Sequence, residues 1–340
     1  MTFVFTTHLI FPLILMTKWI FRSVDAFIDE LVLPSYTWPG YALRSLTWNN
    51  SDLDVDLTDK VCLITGANAG LGLATAVQLA ALGATVYMVA RNAEKGTQAR
   101  QQVIAETGNG RVHLVVLDVS DLTAVAQFAA QFQQQQTRLD VLIHNASVLL
   151  PTRQVSVDGI EQTLATNLIG PFLLTQQLTP LLEASAPARI IWVSSGGMYT
   201  QKFDPAIFSA DAAAYNGTIA YAQTKRAQII LMEMLARQLA PVGITVNAMH
   251  PGWVDTPGVQ SSLPTFRKIM RLGLRTPKQG ADTIVWLAAA PQLTAVSGKF
   301  WFDRRARPTH KFYLRTQSSA AERQQLWAEC VRLSTRHPSA

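Results

Sequence analysis

The segment AYAQTKRAQIILMEML, Ala220 to Leu235, sets a tyrosine and a lysine four residues apart at the start of an apolar, helix-like run. Side chains at i and i+4 of a helix share a face, so the Tyr221 phenol and the Lys225 ammonium can point into one cleft. A phenol with its ordinary pKa of about 10 is a poor proton-transfer group at neutral pH. A neighbouring positive charge stabilises the phenolate and lowers that value. The pair therefore suits acid–base chemistry. Alone it decides nothing, because a chance Tyr-x-x-x-Lys spacing is expected roughly 0.2 times in a chain of this make-up.

A second candidate lies far upstream. TGANAGLG, Thr65 to Gly72, stands where the apolar run VCLITG gives way to the helix-like GLGLATAVQLAALGA. Gly66 permits a sharp turn, Gly70 lets the backbone approach a pyrophosphate, and Gly72 allows close packing of helix on strand. Free N–H groups and the helix dipole then attract phosphate. The spacing is TGxxxGxG rather than GxGxxG, and its place after the first strand of a βαβ unit gives it weight. The next strand ends in Ala90-Arg91. An acidic residue there would bond the ribose hydroxyls of an adenosine and favour NAD. Arg91 can instead pair with a 2′-phosphate, which favours NADP(H) and keeps NAD(H) as the alternative; otherwise it is a solvated arginine opening a loop. Asp118, closing the third strand, accepts a bond from an adenine amino group or caps the helix that follows.

The elements that must position these residues alternate along the chain. VCLITG, ATVYMVAR, RVHLVVLDVS, LDVLIHNAS, ARIIWVSS and ITVNAMHPG read as strands, with helix-like segments between them, including a long one from Gly159 to Leu182. Short apolar strands separated by helices of ten or more residues predict a parallel sheet covered on both faces. The expected fold is α/β, a Rossmann-like doubly wound sheet in three layers, α/β/α. The domain runs over residues 50–305, and residues 306–340 form a tail with one helix, Ser319 to Arg332. No repeat is present, and QFQQQQ reads as a solvated helix end.

At 340 residues, 49% of them hydrophobic, the chain can bury a substantial core. Its two cysteines, Cys62 and Cys330, give no disulfide framework and no metal-ligand spacing, which points to a reducing compartment and no metal. The net charge of +6 is spread out. Its densest groups are Arg304, Arg305, Arg307 and Lys311, and Arg267, Lys268, Arg271 and Arg275. These read as solvated surface or as contacts for anionic lipid headgroups. No nucleic-acid motif accompanies them.

At the N-terminus, FVFTTHLIFPLILM, Phe3 to Met16, is apolar but shorter than the roughly 20 residues of a spanning helix, and Pro12 interrupts it. FRSVDAFIDELVL follows with apolar residues at helical spacing. Residues 1–34 read as a membrane-associating anchor, or as a helical arm packed on the domain. With PSYTWPG, Pro34 to Gly40, read as a break, the N-terminal extension covers residues 1–40. Basic residues behind the apolar run would keep the catalytic domain on the cytoplasmic side of a membrane; the alternative is a cytoplasmic protein.

TGANAGLG, a strand-end HNAS, the asparagine of ATNLIGPF, VSS, YAQTK and HPGWVDT occur in this order. Together they resemble the short-chain dehydrogenase/reductase family over about Leu57 to Phe302. EQTLATNLIGPFLLTQQLTPLL and the wide gap between VSS and YAQTK resemble its retinol-dehydrogenase-like branch. The resemblance implies hydride transfer between NADP(H) and a carbonyl compound or its alcohol. Reducing a carbonyl leaves an alkoxide that must receive a proton, and Tyr221 is implied as that acid–base. Lys225 is implied to bond the nicotinamide ribose and Ser195 to hold the substrate oxygen; alternation along the strand turns Ser194 away. Asn167 is implied to support a proton relay, a role compatible with a buried amide that fixes a helix.

For the cofactor, the resemblance implies contacts from Thr65, Gly66, Asn68, Gly70, Leu71 and Gly72, then Arg91, Asp118, Val119, Asn145 and Ala146. Pro251, Gly252, Val254 and Thr256 of HPGWVDT would border the nicotinamide, Gly252 by letting the backbone come close. Ser147 stands where the family pattern has glycine and would crowd the backbone there. His250 reads as a structural strand-end histidine. The apolar N-terminus and the segment LPTFRKIMRLGLR, an interface-seeking stretch or a lid helix, suit a lipophilic substrate. The competing reading is a catalytically silent NADP(H)-binding scaffold or redox sensor. A nucleotide-sugar epimerase would need other glycine spacing and a larger C-terminal domain. The tail can also serve as a homo-oligomer contact.

Overall fold

The computed structural model describes residues 29, 31–209, 215–311 and 314–335. The apolar run Phe3–Met16 and most of the amphipathic stretch behind it lie outside the described residues. The six expected strands are β1 (Val61–Thr65), β2 (Thr85–Ala90), β3 (Val112–Val116), β4 (Val141–His144), β5 (Ala188–Val193) and β6 (Ile244–Met249). Two more extend the edge, β7 (Phe300–Phe302) and β8 (Arg305–Arg307), giving the order β3-β2-β1-β4-β5-β6-β7-β8. The pairs from β3 to β7 are parallel, and β8 is antiparallel to β7. The sheet is therefore not wholly parallel, and its last two strands are too short to show a period.

Strands β1, β4 and β6 are buried at every position, as strands covered on both faces must be. Along β5, Ile190 and Trp192 enter the core on one face with Phe172 and Ile230. Ile191 and Val193 enter the other with Leu79 and Ile284. This alternation carries the doubly wound architecture. The segment expected to be helical from Gly159 starts at Gln162, where the Glu161 carboxylate accepts from the N–H groups of Thr163 and Leu164. It passes through a π-helical turn, Ala165–Ile169, and continues as the helix Gly170–Ala184.

Pro34 to Gly40 is not a break. Helices Val32–Tyr36 and Trp38–Ser45 occupy it, with Ser35, Thr37, Gly40 and Arg44 buried. Pro39 sits in the first turn, where a missing N–H costs nothing, so a proline and a glycine mimic a linker in sequence while serving a helix. The pair lies against the segment after β6 and against β7: Trp253 N donates to Tyr36 O at 2.8 Å, Trp38 N donates to Gly273 O at 2.9 Å, and the Tyr36 ring meets Phe302 edge-on.

The hairpin between β7 and β8 turns through Asp303 and Arg304, at φ 49° and 56°. This left-handed region is costly for residues with a side chain. Side-chain bonds hold both. Asp303 accepts from Arg44 and Arg275, and Arg304 grips Asp282 through two bonds of 2.8 and 2.7 Å. The basic groups read as surface are thus largely internal. Arg275 is 1% exposed, and Arg307 and Lys311 lie 3.6 and 3.3 Å from Asp29. Of the second group, Lys268 and Arg271 face solvent, while Arg267 pairs with Asp255 at 2.8 Å. The tail folds back as the helix Ala320–Ser334, which buries Leu326, Cys330 and Leu333 and sets Trp327 edge-on to Phe172. Cys62 and Cys330 are buried free thiols. Among the described residues, no helix is long and apolar enough to cross a membrane.

Candidate active site

The helix Gly217–Leu239 opens on Asn216, whose side chain accepts from Thr218 N and Ile219 N. On its first turns it carries Tyr221 and Lys225. Lys225 Nζ donates to Val193 O at 2.8 Å and lies 5.4 Å from the centre of the Tyr221 ring. The Tyr221 hydroxyl is hydrogen-bonded by Ser195 and Ser147. Ser195 follows β5, and its Oγ accepts from Gly197 N at 3.1 Å, capping the short 3-10 turn Gly196–Thr200. Ser194 faces the other way and donates to Lys225 O at 3.0 Å, which ties the strand end to the helix. Phenol, ammonium and serine hydroxyl therefore converge at the carboxyl end of β5.

Burial pushes the Tyr221 pKa up, and the bonds from Ser195 and then Ser147 pull it part of the way back. Burial pushes Lys225 down to about 7. Within the chain alone, desolvation therefore dominates. Tyr221 is a neutral phenol at neutral pH, the form that can give a proton. Ser147 does more than crowd the backbone, since its hydroxyl reaches the phenol.

Asn167 lies in the π-helical turn and is fully buried. Its Oδ1 accepts from Val148 N at 2.8 Å, and its Nδ2 donates to Val148 O at 3.0 Å and Thr224 Oγ1 at 3.1 Å. Its carbonyl accepts from Gln228 Nε2 at 2.7 Å. The amide thus pins the loop after β4 to the Tyr221 helix.

The phosphate loop is built from behind. Gly66 has φ 66°, and a Cβ there would lie 2.8 Å from Ala146 Cα. A Cβ on Gly72 would lie 2.3 Å from Gly66 O and 2.5 Å from Asn145 Nδ2. Asn145 donates to Thr65 O and Gly66 O, and Thr65 Oγ1 accepts from Asn145 N and Ala146 N. Thr65, Asn145 and Ala146 are therefore spent on holding the loop's shape. Asn68 is partly exposed within it. The helix Gly70–Ala81 starts at Ala69 with no side-chain cap. Its first N–H groups are unclaimed by side chains, and they fit an anionic phosphate.

Thr256 stands over Gly70 and caps the helix Pro257–Ser262 through Val259 N, 3.3 Å away. Leu71, Pro251 and Val254 meet around Gly280. Arg91 is exposed just beyond β2. Asp118 accepts from Ser120 N and Oγ, and the cap of the next helix is Asp121, which accepts from Ala124 N. Val119 is buried in the core. Gly252 has φ 76°, and a Cβ there would lie 2.6 Å from the Arg275 guanidinium and 2.8 Å from Tyr36 O.

His250 is buried, stacked on Phe302 at 3.9 Å, and its Nδ1 accepts from Gly252 N. Burial and the nearby arginines hold it well below the usual histidine range, so it is a neutral structural residue. Two residues that the sequence reading passed over, Tyr36 and Gly196, also touch the site. No spacing links them, since 160 positions of chain separate them.

A family profile described as short chain dehydrogenase matches residues 60–265. The chain is 42% identical over 308 residues to Dehydrogenase/reductase SDR family member 12 of Bos taurus, covering 90% of this chain and 96% of that one. It is 38% identical over 252 residues to retinol dehydrogenase 12 of Bos taurus, covering 74% of this chain and 79% of that one. Among solved structures, a short chain dehydrogenase from Shigella flexneri complexed with NADP superposes with a TM-score of 0.59 at 26% identity, covering 75% of this chain and 100% of the other.

Proposed function

The chain belongs to the short chain dehydrogenase family and is a dehydrogenase/reductase, and from that premise we propose an NADP(H)-dependent enzyme that interconverts a lipophilic carbonyl compound and its alcohol. The observation that carries this reading is the convergence of Ser195, Tyr221 and Lys225 at the end of β5. The cofactor, when bound, supplies or takes the hydride. Ser195 holds the substrate oxygen against Tyr221, and Tyr221 Oη gives that oxygen a proton in reduction or takes one in oxidation. Lys225 bonds the nicotinamide ribose beside the phenol. Asn167 fixes the helix that carries both and supports proton passage toward solvent.

The adenosine end fits the loop Gly66–Gly72, with its unclaimed N–H groups and the first turn of the following helix. Arg91 reads the 2′-phosphate, because it ends β2 exposed where an acidic residue would select NAD. A relative named for retinol supports a lipophilic substrate. A membrane site is supported by an apolar and basic patch. Trp38, Ile269 and Leu272 are 47%, 76% and 87% exposed, and Trp38 Nε1 donates to Leu272 O. Lys268 and Arg271 flank them. This patch and the N-terminal segment rest on the membrane, with the catalytic domain on the cytoplasmic side.

The experiment is NADPH and NADH oxidation by the full chain over a panel of lipophilic aldehydes and ketones, with Tyr221→Phe as the control. Consumption of NADPH by the parent alone is the expected result. Cofactor binding without turnover in either protein would favour the silent scaffold, and failure to bind either nucleotide would end the reading.

A further inference from the structure

We propose that Tyr36, on the N-terminal helices, is a positioning residue for the acid–base centre and acts on Ser195 through Gly196. The inference rests on the oxidoreductase reading of that centre. Tyr36 ends the helix Val32–Tyr36, and its ring packs against His250, Phe302 and Trp253 at 4.6, 5.3 and 5.8 Å between centres. A Cβ placed on Gly196 would lie 2.5 Å from Tyr36 Cε2 and 2.9 Å from its Cζ and hydroxyl oxygen. The ring therefore presses on the backbone of the residue after Ser195, at the start of the turn that Ser195 caps. Through its carbonyl, the same residue holds Trp253 N at the end of β6. One residue, by its ring and its carbonyl, thus braces the ends of two strands that border the site.

The seat of Tyr36 is itself fixed. Arg44 Nη1 and Arg275 Nη2 both donate to Ser35 O, at 3.1 and 2.9 Å, while both guanidinium groups bond Asp303. A shift of the turn Gly196–Thr200 would move Ser195 relative to Tyr221, and small misplacements of reacting groups are costly in rate. The phosphate loop is held by Asn145, Ala146 and Thr256 instead. Cofactor affinity is therefore expected to be independent of this contact.

The test is a mutant cycle in the full chain: Tyr36→Ala, Gly196→Ala and the double variant, with kcat, KM and NADPH affinity compared with the parent. Parent turnover checks the oxidoreductase reading separately. The expected result is a kcat loss of about tenfold or more for Gly196→Ala in the parent background, with NADPH affinity unchanged. In the Tyr36→Ala background, where the ring it strikes is gone, Gly196→Ala should cost little further. An equal loss in both backgrounds, or a loss in NADPH affinity instead of kcat, overturns the proposal. Tyr36→Leu replaces Tyr36→Ala in the cycle if the alanine variant does not fold.

Discussion

Lys225 donates its ammonium to the carbonyl oxygen of Val193, 2.8 Å away, from a position 1% exposed. One neutral acceptor does not offset that burial, and the lysine is held at about 7 against an ordinary 10.5. Between those values the unfolded chain binds a proton that the folded chain does not, so stability rises with pH. Tyr221, shifted upward, works against this only above its own ordinary value of 10.0. The single-group limit is about 1.4 kcal/mol per pH unit. Denaturant titrations at several pH values from 7 to 10 should therefore show a steeper rise for the parent than for Lys225→Met. Parallel curves for the two proteins would contradict the burial argument.

Ser147 gives the acid–base centre a second hydroxyl. Its bond to Tyr221 favours the phenolate, so removing it should raise the pKa of the phenol. Ser147→Gly is expected to remain active and to move the Tyr221 limb of the pH profile of kcat/KM upward. Reduction, which needs the neutral phenol, should then persist to higher pH. A limb that stays in place or moves down would show that the bond does not act on the titrating state.

Much of this site was legible in the sequence, for reasons that differ by residue. Tyr221 and Lys225 are four apart on one helix, and Gly66, Gly70 and Gly72 are confined to one turn; local geometry is written in local spacing. Strand alternation separates Ser194 from Ser195, and Ser194 donates to Lys225 O. Of the two readings of Asp118, the helix cap fails because Asp121, three residues on, has the same chemistry and takes that place. Arg275 and Arg304 looked like surface charge, since their partners Asp303 and Asp282 approach only through the edge hairpin. β7 and β8 are three residues each, too short to declare a period. Tyr36 was hidden by a proline and glycine pattern that also suits a linker.

Arg91 offers the simplest check on nucleotide choice. It is exposed at the end of β2, so replacing it should not disturb the core. A charge-assisted bond to a 2′-phosphate contributes about 1.5–3 kcal/mol, equivalent to roughly tenfold to a hundredfold in affinity. Arg91→Asp should weaken NADPH binding by that factor and leave NADH binding equal or tighter. Fluorescence titration with both nucleotides measures it, and equal weakening of the two would remove Arg91 from the phosphate-reading role.

The exposed patch predicts where the protein meets lipid. Leu272 lies beside Trp38, Ile269 is exposed three residues before it, and the charges next to them in sequence, Lys268 and Arg271, are positive. Apolar insertion and attraction to anionic headgroups then add. In co-sedimentation with anionic vesicles, the Ile269→Glu/Leu272→Glu variant should bind less than the parent. Raised salt should weaken the parent as well. Unchanged sedimentation of the variant would assign any membrane contact to other residues.

Asp303 should be the least replaceable residue outside the acid–base centre. Its carboxylate lies between two buried guanidinium groups, 2.9 Å from Arg44 and 2.6 Å from Arg275, and its backbone adopts the left-handed turn between β7 and β8. Removing one partner of a buried ionic cluster strands the charges that remain, typically at about 3–5 kcal/mol. Asp303→Asn keeps the size and removes the charge, so the loss it causes would be electrostatic rather than one of packing. The same arginines donate to Ser35 O, beside Tyr36. The variant is therefore expected to melt earlier and to lose kcat more than NADPH affinity, because the helices it releases touch the Ser195 turn and not the phosphate loop. Thermal melts and NADPH titration on one preparation separate these effects. A variant as stable as the parent would mean that solvent or another carboxylate already balances the two arginines.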